Sequence, residues 1–212
     1  MKSLEPETES PRPEPAATPK GAARAARILN ETLAVITEHG HRTLTLEEIA
    51  RRVGIAKGNL QYYFPTRGDL LRAAFAQQID HHKNDWLVAV QAPAPDDTER
   101  LRRQIAFELQ TNHDTPFVTQ VTERHALSRR DPLLRNLGND WLQWVTGRYA
   151  DLISSLRPEL TRTACLHRAI AIYTLLVGVY RYTGTEPAVP EAADGLDVAL
   201  VEMAMVIALS GS

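Results

Sequence analysis

Three polar side chains, Lys57, Asn59 and Gln61, stand at alternate positions in a short segment that begins at Lys57. A lysine ammonium can donate to the guanine acceptors, and an asparagine or glutamine amide can bond adenine through two atoms at once. Tyr62 and Tyr63 follow directly. They can reach a phosphate or a thymine methyl, although one of the pair is expected to pack inward, and core or phosphate contact stays open for both. Thr45, Thr66 and Arg67 lie where helices should start, and hydroxyls, free amides and the helix dipole favour a phosphate there. For the two threonines a plain capping role is the simpler reading, and both roles can hold together. Lys20, Arg24 and Arg27 can add backbone contacts or form a solvated face.

Other chemistries find little support. The seven histidines, at 39, 41, 81, 82, 113, 125 and 167, include no His-x-x-Glu-His or comparable ligand set, so no metal is expected. There is no nucleophile elbow, phosphate-cradling glycine loop or dinucleotide fingerprint, so neither an enzyme nor a cofactor is expected. The single Cys165 excludes an intrachain disulfide and suits a reducing cytoplasm. No basic-then-apolar leader opens the chain. The longest apolar run, 169–180, is fenced by Arg168 and Arg181 and is too short for a bilayer. A cytoplasmic protein without a membrane partner is the expectation.

The elements that position these residues read as helical throughout. Residues 1–19 carry five prolines and four glutamates with little to bury, which reads as a disordered tail. From Gly21, apolar residues recur at helical spacing through Ile36, and Gly40 stands where a left-handed cap is needed. Thr45-Leu-Glu-Glu48 is a capping-box pattern ahead of a helix over Leu46–Val53. Gly54 breaks it, a second short helix runs from Lys57 to about Phe64, and Pro65 ends that one. Thr66-Arg-Gly-Asp69 repeats the cap pattern for a long helix to about Val90. Asp96 or Asp97 can cap a helix to about Asn112, while Thr115-Pro116 and Asp131-Pro132 open helices near 116–129 and 132–156. Two more, near 161–182 and 192–209, are the most apolar. With no strand-like alternation and no repeat, the fold is all-α with about nine helices.

Two short helices around a tight turn form either an ordinary hairpin or a helix-turn-helix. The latter requires a small residue at the crossing, a residue tolerant of positive φ four positions on, and apolar residues closing a small core. Ala50, Gly54, and Ile49, Val53, Ile55 and Leu60 meet all three demands. Charge agrees: the chain is −2 overall, but residues 20–75 hold nine Lys/Arg against five Asp/Glu. A helical adaptor that binds only protein would leave the polar row of Lys57, Asn59, Gln61 and Arg67 accidental.

These segments resemble the TetR/AcrR transcriptional regulators. The resemblance rests on Ile28 through Gly40, Leu44-Thr-Leu-Glu-Glu-Ile-Ala50, Gly54-Ile-Ala-Lys-Gly-Asn-Leu-Gln-Tyr-Tyr-Phe64 and Pro65-Thr-Arg-Gly-Asp-Leu-Leu71. Ala56 replaces the usual Ser or Thr cap, Gln61 stands where tyrosine is common, and Glu47 where relatives are often basic. The resemblance implies a helix-turn-helix domain over 20–66 and a helical effector-binding and dimerisation domain over 67–212. It further implies a homodimer, a palindromic double-stranded DNA operator, release by a small organic effector, and repression. A mostly apolar, small organic effector is expected to bind in a chamber between the helices starting near Thr66, Asp97, Thr115 and Asp131. Trp86, Phe107, Phe117, Trp141 and Tyr173 are its candidate lining, ordinary core packing being the alternative for each. Ile172 and Leu200 are expected at the dimer interface.

Overall fold

Side-chain oxygens accept the free amides at the start of most helices, and these caps set the element boundaries. The computed structural model describes residues 18–91, 93–179 and 194–211. Among them are nine α-helices and no strand: α1 Pro19–His39, α2 Leu46–Val53, α3 Lys57–Tyr63, α4 Arg67–Gln91, α5 Asp97–Thr111, α6 Thr115–Ser128, α7 Pro132–Leu156, α8 Arg162–Gly178 and α9 Leu196–Leu209. A 3-10 turn, His41–Thr43, joins α1 to α2. Thr18, Asp96, Asp131 and Thr161 cap α1, α5, α7 and α8 through their side chains. Of the expected tail over 1–19, Thr18 instead caps α1 and Pro19 opens it, since proline suits a first helical turn; residues 1–17, Tyr180, the start of the last helix before Asp194 and the loop around Gly184, Pro187 and Pro190 lie outside the described residues.

Three local expectations are corrected. At α2 only half of the capping box forms: the Glu48 amide donates to Thr45 Oγ1 at 3.2 Å, but the Glu48 carboxylate turns to Arg51 and Arg52. Two charged donors outcompete one neutral amide. The Thr66–Asp69 box does close, with amides and side chains bonded both ways at 3.0 and 3.1 Å. At α6 the cap is Asp114 rather than Thr115, because the longer-reaching acidic side chain one residue earlier takes the Phe117 amide at 3.3 Å. Gly40 has φ 74° but ψ 161°, so it turns the chain out of α1 into the 3-10 turn rather than closing a left-handed cap.

Buried apolar side chains fall into two clusters. One gathers Ile28, Ile36, Leu44, Ile49, Val53, Leu60, Leu70 and Phe75 from α1 to the first half of α4. The other gathers Ile79, Leu101, Ile105, Trp141, Tyr149, Ile153, Cys165, Ile172 and Leu200 from α4, α5, α7, α8 and α9. Helix α4 belongs to both and crosses from one to the other between Phe75 and Ile79.

Two glycines isolate backbone strain from packing. Gly54 sits at φ 72° and Gly58 lies inside α3, and a Cβ at either meets nothing within 4 Å. Gly54→Ala is expected to destabilise by about 1–2 kcal/mol through the left-handed φ alone. Gly58→Ala should instead stabilise by about 0.5–1 kcal/mol through helix propensity. Chemical denaturation of both variants measures the pair, and equal signs would contradict this view of the turn.

Candidate functional site

Gly54 adopts the left-handed conformation, φ 72° and ψ 39°, and lets the Ile55 amide reach back to the Ala50 carbonyl at 2.9 Å. Ala50 is buried at the crossing of α2 and α3, and Ile49, Val53 and Leu60 close the small core beneath. With Leu60 inward, α3 turns Lys57, Gly58, Asn59, Gln61 and Tyr62 to solvent. The two tyrosines part company: Tyr62 is 58% exposed, whereas Tyr63 is half-buried against the first cluster, their rings meeting edge to face at 5.6 Å. As expected for Ala56, α3 has no side-chain cap.

Charge on this surface is arranged in internal pairs. Glu47 takes the Lys57 ammonium, and this hydrogen bond holds the Glu47 carboxyl below its ordinary value. Glu48 accepts from Arg51 at 2.7 Å and Arg52 at 2.9 Å, which draws its carboxyl down to about 2. Arg52 also reaches Glu38 at 2.7 Å. Thr45 and Thr66 are exposed at the starts of α2 and α4. Arg67 differs from the free phosphate contact that its type suggests. Its Nε donates to the Leu44 carbonyl at 2.8 Å and its Nη2 to the His41 carbonyl, so it braces the turn before α2.

A cavity of about 410 Å3 opens between α4, α5, α6, α7 and α8. Phe117, Trp141 and Tyr173 line it, and the Trp141 indole is oriented by donating to Tyr173 Oη at 2.7 Å. Trp86 and Phe107 do not line it. Trp86 is enclosed, with Trp144 edge-on at 5.0 Å, and Phe107 stacks on the far side of His82 at 5.5 Å, lining a neighbouring open groove. Sequence reading missed the chamber's polar members: Gln78, His82, Glu108, Asn112 and Arg124 are all buried along it. The chamber expected from the sequence to hold a mostly apolar effector therefore carries two buried ionisable side chains of opposite sign, Glu108 and Arg124. Their signal lay in being polar within otherwise apolar helix faces, but the facing direction of a single residue in a long helix is not legible from spacing.

Helix α6 joins this chamber to the first cluster. Glu123 accepts the His41 amide at 3.2 Å and also bonds the His41 ring. Burial alone would raise the Glu123 carboxyl, but these bonds outweigh it and hold it below the ordinary value. A depressed carboxyl stabilises the fold above its unfolded pKa and loses that contribution as pH falls through the folded one, so this tie weakens only in acid. Gln120 donates to Thr37 on α1 at 3.0 Å and accepts from the chamber residue Gln78 at 3.1 Å. Arg72 on α4 reaches the α7 cap Asp131 at 2.9 Å. Among the described residues no group of three or more His, Cys, Asp or Glu could hold a metal ion, and no helix is long and apolar enough to cross a membrane.

Comparison with known proteins agrees with this architecture. Residues 28–74, from α1 into α4, match the family profile of the bacterial regulatory proteins, tetR family. The transcriptional regulator RutR of Escherichia coli is 27% identical over 121 residues, which cover 56% of this chain and only 55% of RutR's own length. The regulator BetI of Escherichia coli is 26% identical over 164 residues, 74% of this chain and 80% of that protein. In fold, a protein from Saccharomonospora viridis solved in complex with choline superposes with TM-score 0.70 at 18% identity, covering 86% of this chain and 94% of that one. A TetR transcription regulator from Haloarcula marismortui superposes with TM-score 0.72 at 17% identity, covering 88% and 97%. Over its α1–α4 segment, residues 28–74, the chain is similar to the tetR family of bacterial regulatory proteins.

Proposed function

We propose that the chain is a sequence-specific transcriptional regulator: a homodimer that reads a palindromic DNA operator through α3 and is released by a small organic effector, acting as a repressor in the cytoplasm. In this reading residues 20–66 form the DNA-binding domain and 67–212 the effector-binding and dimerisation domain. The observation that carries it is the outward row of Lys57, Asn59, Gln61 and Tyr62 on a helix whose opposite face is anchored by buried Leu60. Such a helix enters the major groove with its N-terminal residues at base edges. Thr45 and Thr66 meet phosphates at the flanking helix starts, and Arg67 holds the turn that carries Thr45 rather than touching DNA itself.

Apolar side chains left facing solvent on the last two helices support the dimer. Ile170 on α8, and Val198, Met203 and Val206 on α9, are more than half exposed. Ile172 and Leu200, the positions expected at the interface, are instead buried in this subunit's own core. The neighbour's complex with choline, a small organic cation, supports a small-molecule reading of the cavity. The ligand must favour one separation of the two DNA-reading heads, because equal affinity for both shifts nothing. Successive major grooves on one duplex face lie about 34 Å apart, and a coupling of about 1–3 kcal/mol changes occupancy appreciably.

Genomic fragments selected by the purified chain supply the operator for three measurements. Asn59→Ala and Gln61→Ala should each weaken operator binding by about 1–3 kcal/mol and relax specificity at one position. Glu47→Gln frees Lys57 and should tighten binding about two- to fivefold, with a steeper salt dependence. Arg67→Ala should lower stability by about 1–3 kcal/mol, because the Leu44 and His41 carbonyls, both in partly buried bonds, lose their donor. Unchanged affinity in both alanine variants of α3 would overturn the reading. For assembly, Val198→Asp with Val206→Asp should convert a dimer into a folded monomer in sedimentation. A wild-type monomer at micromolar concentration would contradict the dimer.

A further inference from the structure

The chamber holds two buried ionisable side chains whose hydrogen-bonding capacity the fold leaves unfilled. Arg124 on α6 is 4% exposed, its Nε has no hydrogen-bond acceptor, and it forms no ion pair among the described residues. Glu108 on α5 is 3% exposed and its Oε1 accepts no hydrogen bond; His82 Nε2 stands 3.6 Å away, beyond hydrogen-bond range. Both line the same cavity, and the Tyr173 hydroxyl lies within the field of each. Burial pushes that phenol up, the Glu108 carboxylate pushes it further, and the Arg124 guanidinium draws it back. Burial likewise pulls the Arg124 guanidinium below its ordinary value. A buried charge left unpaired is strongly destabilising, and an apolar side chain of similar volume would serve a purely structural role better. Rings form the wall beside these charges: Phe117 and Trp141 stand 4.7 and 4.8 Å from the His82 ring, and aromatic faces attract organic cations.

We propose that the chamber takes a small organic zwitterion, its anionic group on the Arg124 guanidinium and its ammonium at Glu108 beside Trp141 and Phe117. This rests on the effector reading above and narrows it to a chemical class. The anion gives Arg124 the acceptors that the protein withholds, and the ammonium gives Glu108 its donor. A ligand of either single charge leaves the opposite side chain buried and unmatched, so selectivity comes from the side chain left without a partner.

The test is titration of the full chain, followed by tryptophan fluorescence and calorimetry, with the ω-amino acids from γ-aminobutyrate to ε-aminocaproate. Hexylamine, hexanoate and hexanol are the cationic, anionic and neutral controls. The best ω-amino acid is expected to bind at least about tenfold tighter than any control. Arg124→Met should abolish the advantage over hexylamine, and Glu108→Gln the advantage over hexanoate. Ligand-free Arg124→Met should melt at or above the wild-type temperature, because it removes an unmatched buried charge. The proposal is overturned if hexanol binds as well as the ω-amino acids, if none of the ω-amino acids binds at millimolar concentration, or if Arg124→Met lowers the melting temperature while leaving affinity unchanged. Operator binding by the same ligand-free preparations separates the two readings. Its loss would strike at the regulator function, whereas operator binding retained alongside any of those results overturns only the zwitterion.

Discussion

The carboxylate of Glu123 is the contact on which the two halves of the molecule depend. It accepts the backbone amide and the ring of His41, immediately after α1 ends and before α2 begins. Charge-assisted bonds of this kind, partly shielded from water, contribute on the order of 1.5–3 kcal/mol. Gly40 shapes the approach through its positive φ, which swings the chain out of α1, while a Cβ there would stand in ordinary contact, 3.4 Å from the Glu123 carboxylate. The next residue along α6 is Arg124, rotated by about 100° around the helix axis. One residue therefore faces the α1–α2 turn while its neighbour faces the chamber. Helix α6 thus links the wall of the chamber to the segment that seats α2. Helix α4 offers a second route, since its first half packs in one cluster and its second half in the other. The Gln78–Gln120–Thr37 chain ties α4, α6 and α1 together across the same junction.

The α2–α3 surface is self-neutralised in the absence of a partner. Glu47 occupies Lys57, and Glu48 and Glu38 occupy Arg51 and Arg52. Exposed pairs of this kind are worth little and are screened by salt, so a phosphate or a base edge can displace the carboxylate at small cost. The pairing means that carboxylates, as much as the basic residues, decide how strongly the surface attracts a polyanion.

Legibility from sequence followed the range of the interaction. Several helix starts were readable because one side chain caps its own segment, as at Thr45, Thr66, Asp96 and Asp131, although the caps Thr18 and Asp114 were not. The turn at Gly54 was readable because only one residue type takes that φ without strain. Leu60 inward with Lys57, Asn59 and Gln61 outward followed from helical periodicity over a single short element. Reading failed where the partner is distant in sequence or where two partners compete. Arg67 bonds carbonyls 23 and 26 residues earlier, and Glu48 chose two arginines over the Thr45 amide. In the long helices periodicity shows that some face is buried but not against what. Trp86 therefore proved to be closed core, Ile172 and Leu200 proved to be intrasubunit, and Arg124 and Glu108 went unnoticed.

Hydrogen–deuterium exchange of the full chain, wild type against Glu123→Ala, tests the α6 junction most directly. The account predicts faster exchange at the His41 amide and across residues 40–46, where the lost carboxylate and the turn that it supports seat α2. It predicts unchanged protection in α8 and α9, whose packing does not involve Glu123. Unaltered exchange over 40–46, or loosening spread evenly over the whole chain, would contradict the claim that this contact joins the two halves.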